Sequence, residues 1–194
     1  MYDFINEEFD NPIKSAAVGS LSGLQHKMQK QRTKNQTLTS NSGKTMSYTL
    51  LHYVPGLSTF CGIRGTTVIT GFMSGCYLFR YRRHGELRAA HIGTHDTNQA
   101  WSKQAKDVWK SYVTRPHISD VFGFDPARDV SDQLLADAAK LGTPRIIGLW
   151  EGNGNARVGV FATPAQRPTK AILVGIEHAR LRPWSSIKND PKMR

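Results

Sequence analysis

Two residues that can act together as a nucleophile and its base stand fifteen positions apart in this chain, at Cys76 and His91. A thiol next to an imidazole can attack an acyl or amide carbon, because the imidazole takes the thiol proton and then, as an imidazolium, stabilises the thiolate. Taken singly, the cysteine is more typical of a small buried side chain and the histidine of a hydrogen-bonded strand residue. The chemistry therefore depends on whether the fold brings the two side chains together.

The segment between these residues has the pattern of a β-hairpin. Two alternating runs, CYLFRYRR and LRAAHIG, flank a short turn at His84-Gly85, where Gly85 can adopt the positive φ of a tight hairpin. A two-residue loop pairs Leu78 with His91. It leaves Cys76 and His91 on one face as diagonal neighbours, with Cβ atoms roughly 7–8 Å apart or less. A loop of three or five residues would turn one of them to the opposite face.

The loop before Cys76 supplies further groups that such a site needs. Ser74-Gly75 leads into the strand, and Gly75 lets the backbone approach a substrate closely. The NH groups around Gly75 and Cys76 could form an oxyanion hole. A third group usually orients the imidazole. Thr70, at the end of the β-branched run TTVIT, is the candidate for that role, through its hydroxyl or its main-chain carbonyl.

This Ser-Gly-Cys turn, followed by a strand and then by HIGT from position 91, resembles the catalytic core of the cytotoxic necrotizing factor family of glutamine deamidases. The same superfamily includes the Burkholderia lethal factor and the chemotaxis receptor deamidase. In this family the Cys is the nucleophile and the His the base, which implies those roles for Cys76 and His91. A Thr six residues before the Cys is the third member in some branches, which implies that role for Thr70. The match covers about thirty residues, and Met73 stands where the toxins usually have Leu.

The resemblance implies a protein glutamine deamidase. Cys76 would attack the side-chain carboxamide, His91 would protonate the departing ammonia, and water would hydrolyse the thioester to leave glutamate. Gly75 and Ser74 would position the substrate, and the reaction needs no cofactor and no metal. An amine in place of water would make the same site a transglutaminase. The implied partner is a target protein that carries the glutamine, such as a host GTPase or a translation factor, and the protein itself would be a bacterial toxin or secreted effector.

The residues leave two other functions open. A papain-like cysteine peptidase or amidase would keep Cys76 and take its base from far along the chain, for which His178 is the candidate. A basic nucleic-acid-binding module would use the charge of the N-terminal region and of Arg80, Arg82 and Arg83. The position of Cys76 relative to His91 and His178 separates the first alternative from the deamidase. Steeply salt-dependent nucleic-acid binding would favour the second.

Composition limits the class of protein. The chain has 194 residues, of which 39% are hydrophobic, enough for one domain with its own core. Its net charge of +11 indicates an acidic partner, whether nucleic acid, anionic membrane or an acidic protein surface. Two cysteines are too few for a disulfide framework, and no apolar run reaches the length of a membrane span. The acidic start, MYDFINEEFDNP, lacks the pattern of a signal peptide. We therefore expect a protein delivered into the cytosol of a target cell without a cleavable signal peptide, or otherwise a cytoplasmic one.

The order of the predicted elements indicates the fold. Residues 15–45 are basic and rich in Ser, Thr, Asn and Gln, so residues 1–45 are predicted to form a flexible basic N-terminal extension, and residues 46–194 the catalytic deamidase-like domain. About seven strands and two helices, the latter at 98–113 and 127–142, follow without regular βαβ alternation. This pattern predicts an α+β fold, with a largely antiparallel β-sheet or β-sandwich core and two or more outer helices. Loops 54–66, 93–100, 115–128 and 152–156 are expected to choose the substrate.

Overall fold

The computed structural model describes residues 1–10, 28–30, 35–73, 75–95 and 97–194. Thirteen strands lie in these ranges and form two sheets. In chain order they are β1 (Glu8–Asp10), β2 (Gln29–Lys30), β3 (Asn35–Thr39), β4 (Thr45–Leu51), β5 (Ser58–Gly62), β6 (Thr67–Thr70), β7 (Tyr77–Arg83), β8 (Glu86–Ile92), β9 (Ile118–Phe124), β10 (Thr143–Trp150), β11 (Ala156–Thr163), β12 (Lys170–His178) and β13 (Arg182–Pro183).

The first sheet has seven strands in the order β1-β12-β11-β10-β6-β4-β3, and the second has six in the order β13-β9-β7-β8-β5-β2. Neighbouring strands are antiparallel except for the pairs β4–β6 and β2–β5, which are parallel. The helices are α1 (Gln99–Val113), α2 (Pro126–Asp129), α3 (Asp132–Leu141) and α4 (Trp184–Ile187), with 3₁₀ turns at Tyr2–Phe4 and Pro191–Met193. This largely antiparallel α+β architecture confirms the predicted fold class.

The principal core lies between the two sheets. It joins Val158 and Trp150 of the first sheet to Leu78 and Phe124 of the second, and each of these side chains is almost completely buried. Burial of apolar side chains of this size contributes about 1.5–3 kcal/mol each. The sheets approach closely at Gly148, where an added Cβ would lie 2.0 Å from the Cδ1 atom of Leu78. The face of β7 and β8 that carries Leu78 is therefore turned toward the first sheet.

Helix α1 covers the outer face of the second sheet. Phe79 and Tyr81 of β7 pack against Trp109 of this helix, with ring centroids 4.5 and 5.6 Å apart. The apolar stripe that the sequence places on this helix is therefore core, as its three- and four-residue spacing predicts. α1 is capped by Asn98, whose side chain accepts a hydrogen bond from the Trp101 NH. No helix in the described ranges is both long and apolar enough to cross a membrane.

Parts of the predicted N-terminal extension belong to the first sheet. Strand β1 pairs with β12, β3 pairs with β4, and Phe9 is completely buried against Phe161. Asn41 donates a hydrogen bond of 2.8 Å to the carboxylate of Glu8, which links the two segments. Strands β1 and β3, which belong to residues 1–45, are thus integral to the first sheet. The division into an extension and a catalytic domain at residue 45 stays a prediction.

Candidate active site

The β7–β8 hairpin has the predicted register. Arg83 pairs with Glu86, and Leu78 pairs with His91. The two turn residues, His84 and Gly85, have φ values of 50° and 80°, the left-handed combination that a two-residue hairpin loop requires. This register turns Leu78 and His91 to the side of the hairpin that faces the first sheet. Cys76 precedes β7 and lies outside the paired residues, so its position beside His91 stays a prediction.

Cys76 lies where the chain crosses from one sheet to the other, between the end of β6 and the start of β7. Its side chain is almost buried, with 5% of its surface exposed. The Sγ atom is 3.3 Å from the Thr94 hydroxyl, and the Tyr53 hydroxyl donates to the Thr94 carbonyl. Thr94 therefore links the thiol to Tyr53, a residue that also contacts the imidazole.

His91 is completely buried in β8. The Tyr53 ring packs against its imidazole at a centroid distance of 5.4 Å, and within the described ranges neither ring nitrogen has a hydrogen-bond partner. Burial lowers the pKa of His91 to about 3, because the charged form loses its hydration. The imidazole is therefore neutral at physiological pH, and the resting pair differs from the imidazolium–thiolate pair that the residue types suggest.

Thr70 uses its hydroxyl elsewhere. The Oγ1 atom donates to the Gly148 carbonyl at 3.0 Å and accepts from the Gly148 NH at 2.9 Å, so that β6 and β10 are bonded through this side chain. The hydroxyl is thus occupied by the neighbouring strand and not by His91. Orientation of His91 by the main-chain carbonyl of Thr70 stays a prediction. Ser74 lies outside the described residues, and the oxyanion hole at Gly75 also stays a prediction.

A cavity of about 550 Å³ lies beside the thiol. Its lining includes Gly75, which precedes Cys76, and Thr94, which contacts the Sγ atom. A larger groove of about 720 Å³ runs along α1 and reaches Arg83, at the turn end of the hairpin. Because Cys76 is at the other end of β7, the smaller cavity is the one that belongs to the candidate site.

Cys61, His95 and His178 are engaged in packing or hydrogen bonds within the protein. Burial raises the pKa of the Cys61 thiol to about 12, which fits a small buried apolar residue. His95 accepts hydrogen bonds from the NH groups of Thr97 and Asn98 at the start of α1. His178 lies at the end of β12 in the first sheet, with its Nδ1 atom against the Arg157 guanidinium. Within the described part of the chain, no group of three or more His, Cys, Asp or Glu side chains is arranged to hold a metal ion.

The arginines of the hairpin are largely engaged within the protein. Arg80 stacks over the Phe122 ring at 5.2 Å and donates to the Gly154 carbonyl, and Arg82 forms an ion pair of 3.2 Å with Asp120. A nucleic-acid surface on this strand would have to compete with these contacts. The nucleic-acid alternative, which also uses N-terminal residues outside the described ranges, stays a prediction.

Two residues that contact Cys76 or His91, namely Thr94 and Tyr53, were not predicted from the sequence. Thr94 stands in the HIGT segment, and its contact with the thiol follows from the hairpin register once the chain beyond Gly93 is traced. Tyr53 is far from both Cys76 and His91 in sequence and is brought to them by packing between the sheets. A Tyr near the end of a predicted strand carries no signal of such a role.

Comparison with known proteins shows a distant structural likeness. No family model matches the chain, and no curated protein matches it. Among solved structures, the C-terminal domain of CNFy from Yersinia pseudotuberculosis is similar, with a TM-score of 0.29 and 9% sequence identity. The match covers 71% of this chain and spans 62% of that domain. A likeness this distant carries no argument about chemistry, which has to be derived from the site itself.

Proposed function

We propose that this protein is a protein glutamine deamidase that acts through Cys76 and His91. One observation supports the proposal: Thr94 contacts the Cys76 thiol, and Tyr53 contacts both Thr94 and the His91 ring, in a hairpin that has the expected register. Both ring nitrogens of His91 are unengaged among the described residues, which leaves a lone pair open to a proton, while burial lowers the pKa of His91 and makes it a weaker base than a solvated imidazole. His178 lies in the other sheet against Arg157, which makes it the weaker candidate for the base.

The reaction follows from these two groups. The Sγ atom of Cys76 attacks the carboxamide carbon of a glutamine as His91 takes the thiol proton. The tetrahedral intermediate collapses to a thioester, and the proton passes from His91 to the departing ammonia. A water molecule, deprotonated by His91, then attacks the thioester, so that glutamate leaves and the thiol is restored.

Burial of His91 determines how the proton moves. A resting imidazolium is not available at physiological pH, because the pKa of His91 is about 3. Proton transfer is therefore coupled to formation of the sulfur–carbon bond, and NH groups near Gly75 and Ser74 would stabilise the oxyanion that develops. We also propose that the target lies in the cytosol of another cell, as for a toxin or effector. Both cysteines are free thiols, which suits a reducing compartment.

The test is a search for converted glutamines in a eukaryotic cell lysate by peptide mass spectrometry. The lysate is treated with the wild-type protein, with Cys76→Ser, or with Cys61→Ser as a matched control, since both cysteines are buried and free. We expect glutamine-to-glutamate conversion with the wild type and with Cys61→Ser, and loss of that conversion by at least about 100-fold with Cys76→Ser.

The other results assign other functions. New peptide cleavages that require Cys76 would indicate a peptidase, and new crosslinks that require it would indicate a transglutaminase. Conversion that survives in folded Cys76→Ser would remove Cys76 from the mechanism. Absence of any Cys76-dependent change would count against an enzyme acting on these proteins.

A further inference from the structure

The charged side chains that line the cavity beside Cys76 are basic, and two of them also pair with a carboxylate, Lys103 with Asp107 and Lys192 with Asp125. Four of its lining residues are Lys103, Lys106, Lys192 and Arg194, and among the described residues no Asp or Glu lines it. Its volume of about 550 Å³ falls in the range of small-ligand pockets, about 300–1,000 Å³. A concave site with one sign of charge favours an anion.

Lys106 lies in this cavity beside Arg194. Its Nζ atom donates to the main-chain oxygen of Arg194 at 3.0 Å, and the negative charge of Asp107 also acts on it. Partial burial and the neighbouring Lys110 ammonium lower the pKa of Lys106. Lys106 also lies near enough to Cys76 for the two charges to interact. An anion in the cavity would compensate this cation and would lie close to the thiol.

Contacts with two aspartates, Asp125 and Asp190, fix the position of Lys192. Its Nζ atom contacts the carboxylate of the completely buried Asp125, and its NH donates to Asp190 at 2.9 Å. The Nζ atom lies 3.5 Å from the position that a Cβ on Gly75 would occupy. A Cβ at Gly75 would therefore meet this ammonium at an ordinary contact distance, and the basic cavity adjoins the loop that precedes Cys76.

We propose that this cavity binds a carboxylate side chain of the target protein, so that the enzyme selects glutamines with Asp or Glu within a few residues. The inference rests on the proposed function, and it names the class of glutamine that the site would accept. The cations converge in one cavity rather than along a track, as the phosphates of a nucleic acid would require. The ammonium groups of the lysines and the guanidinium of Arg194 can form charge-assisted hydrogen bonds with a carboxylate.

The experiment uses pairs of peptides that contain one glutamine and differ only by Glu or Ser at a flanking position. Deamidation by the full-length protein is followed by mass spectrometry. We expect kcat/KM to be about 10-fold or more higher for the Glu peptide at low salt, because charge-assisted hydrogen bonds to a partly buried cation are strong. The preference should weaken as salt rises.

The double variant Lys103→Gln and Lys106→Gln should bring the Glu-to-Ser ratio close to one. Lys140→Gln is the matched control. Lys140 and Lys103 are 70% and 71% exposed, and each bonds an Asp carboxylate at 2.6 Å, but Lys140 lies on α3 and does not line the cavity. This control should keep the wild-type ratio.

Equal rates for the Glu and Ser peptides, with conversion intact, would overturn the inference and leave the deamidase. The same holds if an oligonucleotide inhibits the reaction while the peptides show no acid preference, since the cavity would then bind phosphate. If only a folded protein from the lysate is converted, the comparison is repeated with acidic residues around its glutamine changed to Ser. Absence of conversion in peptides and lysate alike would remove the proposed function and the inference together.

Discussion

Burial, rather than a neighbouring charge, lowers the pKa of His91. An imidazole in the unfolded chain takes up a proton at a pH near 6.5, whereas the folded chain resists protonation until the pH approaches 3. Between these values the unfolded state binds more protons than the folded state. Folding stability should therefore be complete above about pH 6.5 and should fall as the pH decreases toward 3.

This dependence can be measured by urea unfolding of the wild type and of His91→Leu between pH 4 and 8. A single group of this kind contributes at most about 1.4 kcal/mol per pH unit in that window. We expect the wild type to lose stability relative to His91→Leu as the pH falls. The control is His84→Asn, which removes an exposed imidazole at a left-handed position that Asn tolerates. A wild-type curve parallel to that of His91→Leu would mean that water reaches the imidazole.

Among the secondary-structure elements, the hairpin was the most predictable from sequence. Its turn chemistry and its two-residue period act over a few positions, and together they determine which residue faces His91. The helix predicted at 127–142 is present as α3, which begins at Asp132 because the Ser131 side chain accepts a local hydrogen bond from the Leu134 NH. The first residues of the predicted range belong to the separate short helix α2.

Contacts between distant segments were not predictable in this way. The hydroxyl of Thr70 bonds to Gly148, 78 residues later, and nothing near Thr70 in sequence points to that partner. Strand β3, with the polar sequence NQTLT, exists because β4 pairs with it. The burial of His91 likewise depends on Tyr53 and on the opposite sheet, and the low pKa that follows from this burial was not predictable from neighbouring residues.

The bond between Thr70 and Gly148 gives a prediction at the scale of these elements. Thr70→Val keeps the shape of the side chain but leaves the buried NH and carbonyl of Gly148 without this partner. We expect a loss of about 1–3 kcal/mol in the free energy of unfolding, measured by urea denaturation. The control Thr37→Val changes an exposed strand residue and should stay within about 0.5 kcal/mol of the wild type. Wild-type stability in Thr70→Val would mean that the two sheet strands do not need this hydroxyl.

At the scale of the whole molecule, the site depends on how the two sheets are spaced. The candidate base belongs to the second sheet, and Leu78, which pairs with His91, touches the first sheet at Gly148. The thiol sits on the segment that crosses between the sheets. A change in the sheet separation should therefore disturb the site together with the core.

Gly148→Ala tests this coupling. The added Cβ would lie 2.0 Å from Cδ1 of the completely buried Leu78 and 3.3 Å from the nearest atoms of both Phe124 and Pro126, so part of this packed core must shift. We expect a loss of about 1–3 kcal/mol in urea unfolding, as for other overpacked cores, because β10 must move away from β7. Gly62→Ala is the control, since its Cβ would meet only Arg64, at an ordinary distance of 3.4 Å. In the lysate assay, conversion should fall in folded Gly148→Ala and persist in Gly62→Ala. A destabilised Gly148→Ala with undiminished conversion would mean that the hairpin alone holds Cys76 and His91 in register, and that the first sheet only supports it.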